Sequence, residues 1–183
     1  MLKHSFDSVV SFIAIIAASP LLILIAIWIK LDSPGPVFYR GARVGLHGKP
    51  FRIYKFRSMV INADRIGGPS TAGDDPRITM AGKFVRKYKL DELPQFINVL
   101  KGEMSFVGPR PEVQVYVDMY TEEEKVILAM RPGITDWASL WNPDEGAILA
   151  GSPDPEKTYM EVIRPEKIRL QLRYARERSF WVD

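Results

Sequence analysis

Residues 8–31 read SVVSFIAIIAASPLLILIAIWIKL, and the rest of the architecture is organised around them. No charged side chain falls between Asp7 and Lys30, so the run is long and apolar enough to enter a bilayer. A cleaved signal peptide fits less well, because the stretch is too long and Lys3 is the only strong positive charge ahead of it. Ser19-Pro20 interrupts the run at its middle. A proline there removes the amide that would bond the Ile16 carbonyl, and its ring kinks the helix. A freed carbonyl is costly in hydrocarbon, and the Ser19 hydroxyl is a candidate to answer it. Each half, 8–19 and 20–31, holds 12 residues, or roughly 18 Å of helix. Neither half crosses a core of about 30 Å, whereas the two end to end would. The segment is therefore either a kinked spanning helix or a helix-break-helix that dips in and returns. Residues 1–34 form this membrane-inserted element, and residues 35–183 form the domain that follows. Lys30, Arg40, Arg43, Lys49, Arg52 and Lys55 place that domain in the cytoplasm. Lys3 and His4 argue for a cytoplasmic N-terminus too, which requires the re-entrant form.

Outside this segment the composition excludes more than it selects. The chain has 183 residues, with 25 Lys and Arg against 22 Asp and Glu. So slight a basic excess fits a nucleic acid, an anionic membrane or a phosphate-rich substrate equally well. There is no cysteine, which excludes disulfides, thiolate catalysis and sulfur-ligated metals. His4 and His47 are too few for a histidine metal site. The chemistry must come from carboxylates, cations and hydroxyls. Nucleic acid is not expected as a partner, because basic and acidic residues are interspersed without a recognised binding motif.

From Pro36 the periodicity changes. PVFYR (36–40) and FRIYKF (51–56) flank a glycine-rich connection at Gly45–Gly48 and read as a β-hairpin. Residues 62–76, with Gly67, Gly68, Pro69 and Gly73, read as a loop. A basic helix is expected over Gly82–Lys89. In DELPQFINVLKG (91–102), Leu93, Phe96, Ile97 and Leu100 make the stripe of an amphipathic helix. Asp91 sits at its N-cap, Pro94 in its first turn, and Gly102 closes it. Thr121 and Glu124 form a capping box for a helix that ends before Pro132-Gly133. Residues 142–155 look irregular. A last helix starts near Pro155, breaks at Arg164-Pro165 and resumes through Arg178. The fold class is a helix-rich α+β: a broken membrane helix, then a small cytosolic domain with a β-hairpin and amphipathic interfacial helices.

Several residue groups could carry chemistry. Asp91-Glu92 follow four cations at an expected helix N-terminus, where the dipole favours anions and keeps Asp91 ionised as a nucleophile. Two such carboxylates also suit one Mg²⁺. The same pair equally serves as plain capping acids. Pro109-Arg110-Pro111 presents a guanidinium from a stiff backbone, suited to bidentate phosphate recognition or simply to a surface loop. Lys55 and Arg57 alternate onto one strand face. Arg169, Arg173 and Arg176 share a helical face that either rests on anionic headgroups or is solvated. Asp74-Asp75, beside Pro76, suits a turn better than a metal. There is no P-loop, no dinucleotide fingerprint, no Ser/His/Asp arrangement and no zinc spacing.

Taken together and in this order, the motifs resemble the small monotopic phosphoglycosyl transferases, or bacterial sugar transferases. The resemblance covers essentially the whole chain and is strongest in YKFRSM (54–59), DPRIT (75–79), LDELPQ (90–95) and NVLKGEMSFVGPRP (98–111). It implies an enzyme of the bacterial inner membrane, active at the cytoplasmic face, that begins surface glycan assembly. A phosphosugar would pass from a UDP-sugar to undecaprenyl phosphate, with UMP released and Mg²⁺ as cofactor. Asp91 would be the nucleophile that carries a covalent phosphosugar, with Glu92 assisting and sharing the metal. Lys55, Arg57, Arg86 and Arg110 would bind phosphates, and Gln95 would support the site. Ser19-Pro20 would mark the break of a re-entrant helix among membrane lipids. A homodimer is compatible with the resemblance.

Three departures bear on it. Lys3 is followed by His4 where members often have Lys-Arg, and members usually continue past the equivalent of Asp183. After Arg131–Thr135 the chain reads Asp136-Trp137-Ala138-Ser139 where many members have Gly-x-Ala-Gln. Two other functions compete: an inactive membrane scaffold, and a metal-dependent phosphohydrolase that uses water as acceptor.

Overall fold

A computed structural model describes residues 2–179 and 183. Its first half runs α1 (Leu2–Asp32), β1 (Phe38–Tyr39), β2 (Ala42–Val44), β3 (Pro50–Arg52), β4 (Lys55–Phe56), α2 (Ala63–Ile66) and α3 (Met80–Lys87). A 3₁₀ turn (Leu90–Gln95) leads into α4 (Phe96–Leu100), β5 (Ser105–Val107) and α5 (Gln114–Val117). A second 3₁₀ segment (Glu124–Ala129) precedes β6 (Gly133–Thr135), α6 (Trp137–Trp141), α7 (Glu145–Leu149), α8 (Pro155–Thr158) and α9 (Arg164–Glu177). The strands pair only two by two, so the fold is the helix-rich α+β expected. Two units can be distinguished. One comprises the described residues up to Gly41 with Arg52–Gly67 and Pro76–Met104; the other comprises Ala42–Phe51, Gly68–Asp75 and the described residues from Ser105 onward.

The first unit is built on α1, whose 31 residues span about 46 Å, enough to cross a membrane. The helix is continuous through Pro20. The Ile16 carbonyl, left without its amide by the proline, accepts a hydrogen bond from Ser19 Oγ at 2.8 Å. The C-terminal carbonyls of α1 are capped by Arg57. Its guanidinium donates to Ser33 O at 2.8 Å, to Ile29 O at 3.2 Å, and to Pro34 O. Gly35 makes room for this cap, because its φ is +122° and an added Cβ would lie 2.2 Å from Arg57 Nη1.

The hairpin base pairs β1 with β4 in the register Phe38↔Phe56 and Tyr39↔Lys55. Phe56 thereby enters a core with Ile25, Ile29, Ala81 and Val85, all buried. Helix α3, the basic helix expected, starts two residues earlier than its sequence suggests. Thr79 caps it by accepting from Gly82 N at 3.0 Å, and Asp32 accepts from Ala81 N at 3.2 Å. Asn98, fully buried, ties α4 to the hairpin: it accepts from Tyr54 N at 2.8 Å and donates to Arg52 O at 2.9 Å.

The segment after Lys89 departs from the helix expected there. Lys89 takes the N-cap position at φ 56°, Asp91 lies inside the first turn, and six residues of 3₁₀ precede a five-residue α4. Pro94, which has no amide to give, sits inside that 3₁₀ turn. The buried side is not the apolar stripe. Asp91, Gln95 and Asn98 are buried with Pro94 and Val99, while Leu93, Phe96 and Ile97 are half-buried and Leu100 is exposed.

The second unit follows the ordinary pattern more closely. Its strands β5 and β6 run parallel, Ser105 opposite Gly133 and Val107 opposite Thr135. Val44, Val117, Tyr120, Ile127, Met130, Ile168 and Tyr174 form one core cluster. Ala72, Tyr116, Leu149, Tyr159 and Ile163 form another. The capping box is present: Thr121 N donates to Glu124 at 3.0 Å and Glu124 N to Thr121 at 3.2 Å. Residues 142–155 are less irregular than expected, since Asp144 caps α7 by accepting from Ala147 N. Nor does Arg164-Pro165 break the last helix. A π turn over Tyr159–Ile163 widens the backbone just ahead of Pro165, and α9 continues from Arg164.

Candidate active site

In the first unit the candidate residues converge on the 3₁₀ turn. Asp91 is 8% exposed in its first turn. Its neighbour Glu92 accepts from Lys55 Nζ at 2.7 Å, with both side chains largely shielded. The pairing register explains the encounter: Lys55 sits opposite Tyr39 on β4, and β4 packs against the Leu90–Gln95 turn. A partly desolvated ion pair of this length is a strong charge-assisted hydrogen bond, so Lys55 fixes where Glu92 points.

Gln95, one turn beyond Asp91, is 1% exposed, and its Nε2 has no acceptor among the described residues. A buried amide donor without a partner is uncommon and suits a site that receives an oxygen-rich group. Arg86 is half-buried in the last turn of α3. Arg57, expected at a phosphate, meets protein carbonyls in this structure. Both terminal nitrogens of its guanidinium are spent on backbone carbonyls at the end of α1.

Asp91 and Glu92 supply two adjacent hard oxygen donors, the set that Mg²⁺ accepts when substrate phosphates complete its shell. No group of three or more potential metal-ligating side chains gathers among the described residues. A divalent ion held here would therefore depend on the substrate for most of its ligands.

Arg110 belongs to the second unit, half-buried between Pro109 and Pro111. Its backbone amide donates to Asp136 Oδ2 at 3.1 Å. Asp136 is 2% exposed and also caps α6, accepting from Ser139 N and Ser139 Oγ at 2.7 Å each. Sequence reasoning noted Asp136 only as a departure from a family pattern and missed its contact with the arginine segment. The signal available was an Asp three residues ahead of a Ser, a capping spacing, in a stretch close behind Pro-Gly.

Arg169, Arg173 and Arg176 pair with Glu166, Glu177 and Glu123. The hydrogen bond to Arg169 holds the half-buried Glu166 carboxyl below the usual glutamate range. The charges of this face are thus paired among themselves.

A family model described as bacterial sugar transferase matches residues 1–183. The chain is 40% identical over 185 residues to an Aeromonas hydrophila protein called UDP-N-acetylgalactosamine-undecaprenyl-phosphate N-acetylgalactosaminephosphotransferase, covering 100% of this chain and 41% of that one. It is 41% identical over 189 residues to UDP-glucose:undecaprenyl-phosphate glucose-1-phosphate transferase of Escherichia coli K12, covering 100% of this chain and 38% of that one. A Bacillus subtilis protein, the uncharacterized sugar transferase EpsL, is 40% identical over 140 residues, with 76% of this chain and 68% of that one covered. The chain thus spans about two fifths of the length of the first two relatives.

Proposed function

Since this chain belongs to the bacterial sugar transferase family, we propose that it transfers a phosphosugar from a UDP-sugar to undecaprenyl phosphate and releases UMP. The observation that carries this reading is the match over the whole chain to relatives whose names state such a transfer. Those relatives act on different sugars, so the donor is read only as a UDP-sugar.

In the first step an oxygen of Asp91 bonds to the β-phosphorus while the bond to UMP breaks, and the electron pair leaves with UMP. In the second, an oxygen of the acceptor phosphate attacks the same phosphorus and Asp91 departs. Burial suits Asp91 to this task, since it strips water from the nucleophile. Glu92, oriented by Lys55, lies beside it, and the buried amide of Gln95 offers a donor to phosphate oxygen. Mg²⁺ held by Asp91 and Glu92 would neutralise the diphosphate. By resemblance to the family, Arg86 in the first unit and Arg110 in the second are each read as a phosphate-binding cation; Arg57 caps the end of α1.

The membrane element takes the re-entrant form in this reading. Both ends of α1 rest on the same unit. The His4 ring lies against Gly102 and Asp7 and Ser11 are buried near its start, as are Ile25 and Ile29 near its end. A helix that spanned about 30 Å of hydrocarbon would carry its start away from the aqueous side on which its end is held. The cations after α1 put that side in the cytoplasm, at the inner membrane, where donor and lipid acceptor can meet.

The test is UMP release by purified protein in lipid nanodiscs from a panel of UDP-sugars with Mg²⁺, with and without undecaprenyl phosphate. Lipid-dependent release with one donor is expected, and Asp91→Asn should lower it by roughly a thousandfold or more. Equal release without lipid would point to hydrolysis, and turnover retained in Asp91→Asn would remove the nucleophile assigned.

A further inference from the structure

Helix α9 carries two polar side chains on its buried side. Lys167 is 4% exposed and Gln171 is 1% exposed, one helical turn apart among Ile163, Leu170 and Tyr174. Each meets an acid. Lys167 Nζ lies 2.7 Å from Glu112 Oε1 and 3.0 Å from Glu145 Oε1. Gln171 Nε2 donates to Asp136 Oδ2 at 3.1 Å. Those acids bracket Arg110. Asp136 takes the Arg110 amide, and Glu112 is two residues further on, its carbonyl accepting from Val44 N at 2.9 Å. Tyr159 OH also donates to Glu112 Oε1, at 3.2 Å. On the other side of the arginine, the Pro109 carbonyl accepts from Gly133 N at 3.0 Å. The approach at this point is close, since a Cβ on Gly108 would lie 2.4 Å from Arg131 O.

We propose that α9 is a splint for Arg110, with Gln171–Asp136 and Lys167–Glu112 as its two arms and Asp136 as the positioning residue. The inference rests on the reading of Arg110 as a phosphate ligand. A burial-based stability argument does not explain the arrangement. Burial works against the Lys167 ammonium, yet Glu112, Tyr159 and Glu145 hold it well above the ordinary lysine value. An apolar residue of similar volume would commonly serve a core as well or better. What the two arms supply is a fixed backbone on both sides of one guanidinium. Pro109 and Pro111 lock their own φ angles, and the hydrogen bonds lock the remaining freedom. A cation held in place before substrate arrives gives up little ordering entropy when it meets a phosphate.

Asp136 also explains the Asp-Trp-Ala-Ser departure in chemical terms. Its carboxylate acts here as an acceptor on both oxygens: Oδ1 receives from Ser139 N and Oγ, and Oδ2 from Arg110 N and Gln171 Nε2. An asparagine has one acceptor oxygen and would turn an NH₂ toward one pair of donors.

The experiment combines Asp136→Asn, the gentler Gln171→Met, Arg110→Ala and the double variant Asp136→Asn/Arg110→Ala. Amide hydrogen exchange across 108–112 is read first, because it needs no turnover. Exchange at the Arg110 amide should speed up at least tenfold in Asp136→Asn and less in Gln171→Met, with the rest of β5 and β6 unchanged. Unchanged exchange in both variants overturns the splint. In transfer assays Arg110→Ala should lower kcat/KM for the donor about a hundredfold, Asp136→Asn about tenfold to thirtyfold, and the double variant no further than Arg110→Ala. Multiplicative losses would overturn the splint while leaving Arg110 in its role. An Arg110→Ala enzyme with unchanged kinetics would overturn that role, and the splint's purpose with it.

Discussion

The segment from Leu90 to Leu100 and helix α9 solve the same problem in opposite ways. The first hides Asp91, Gln95 and Asn98 and leaves Leu93, Phe96 and Ile97 half-covered and Leu100 exposed. The second hides Ile168, Leu170 and Tyr174 and turns Arg169, Arg173 and Arg176 outward. Helix α9 obeys the rule for a surface helix in water, and each of the two polar residues it buries meets an acid through its nitrogen. The Asp91 segment belongs to the unit that also carries α1. There Phe6, Val9, Phe12, Ile13, Ile16, Ile23, Leu24, Ile27 and Leu31 are all exposed. Apolar patches of that extent mark a surface whose solvent is not water. The difference teaches that burial in one unit is organised against water alone, and in the other against water and hydrocarbon together.

Charging the outward face of α1 is the most direct way to break this comparison. Ile13→Asp with Leu24→Asp should cut partitioning into phosphatidylethanolamine/phosphatidylglycerol vesicles by roughly a hundredfold or more, since each charge costs about 2.5–3.5 kcal/mol in the hydrocarbon. Co-sedimentation reads the effect directly. Undiminished partitioning would mean that this face lies in water and that the two units bury by one rule. A smaller effect is expected at Pro20. Ser19→Ala leaves the Ile16 carbonyl without its 2.8 Å partner, which should cost about 1 kcal/mol in urea unfolding in bicelles. An unchanged midpoint would show that water reaches that carbonyl and that this stretch of α1 is not immersed.

Much of this was legible in the sequence, and where reading failed it failed for physical reasons. The apolar run, the Ser19 answer to Pro20, the hairpin and the Thr121/Glu124 box all depend on neighbours close in the chain, which pattern rules capture. The stripe Leu93, Phe96, Ile97, Leu100 was seen, but not that the opposite side is the buried one, because periodicity locates an apolar face without saying what covers it. Arg57 was named as a phosphate ligand because the family resemblance implied it. Its partners in the structure lie at and just past the end of α1, 23 to 28 residues away in sequence, where no local rule reaches. Asp91 and Glu92 were named as the reacting pair and Lys55 as a phosphate cation, and the 2.7 Å pair between Lys55 and Glu92 joins one of each set. The splint escaped because a lysine on an apolar stripe reads as an imperfection until Glu112 is seen opposite it.

The smallest effect expected comes from α9, and it sharpens the comparison most. If its arginines rested on anionic headgroups, each would be worth about 1 kcal/mol of membrane affinity, and removing two would weaken binding roughly thirtyfold. They are instead paired with Glu166 and Glu123 at exposed positions, where such pairs are worth only about 0.2–1 kcal/mol. Arg169→Gln with Arg176→Gln should therefore leave partitioning within about twofold. The place to measure it is the Ile13→Asp/Leu24→Asp protein, whose weakened insertion no longer masks an electrostatic contribution. Added salt should also do little there, since ions screen headgroup attraction strongly and an internally neutral face hardly at all. A thirtyfold loss in that background would make α9 a second membrane contact, and the second unit would then share the two-solvent rule of the first.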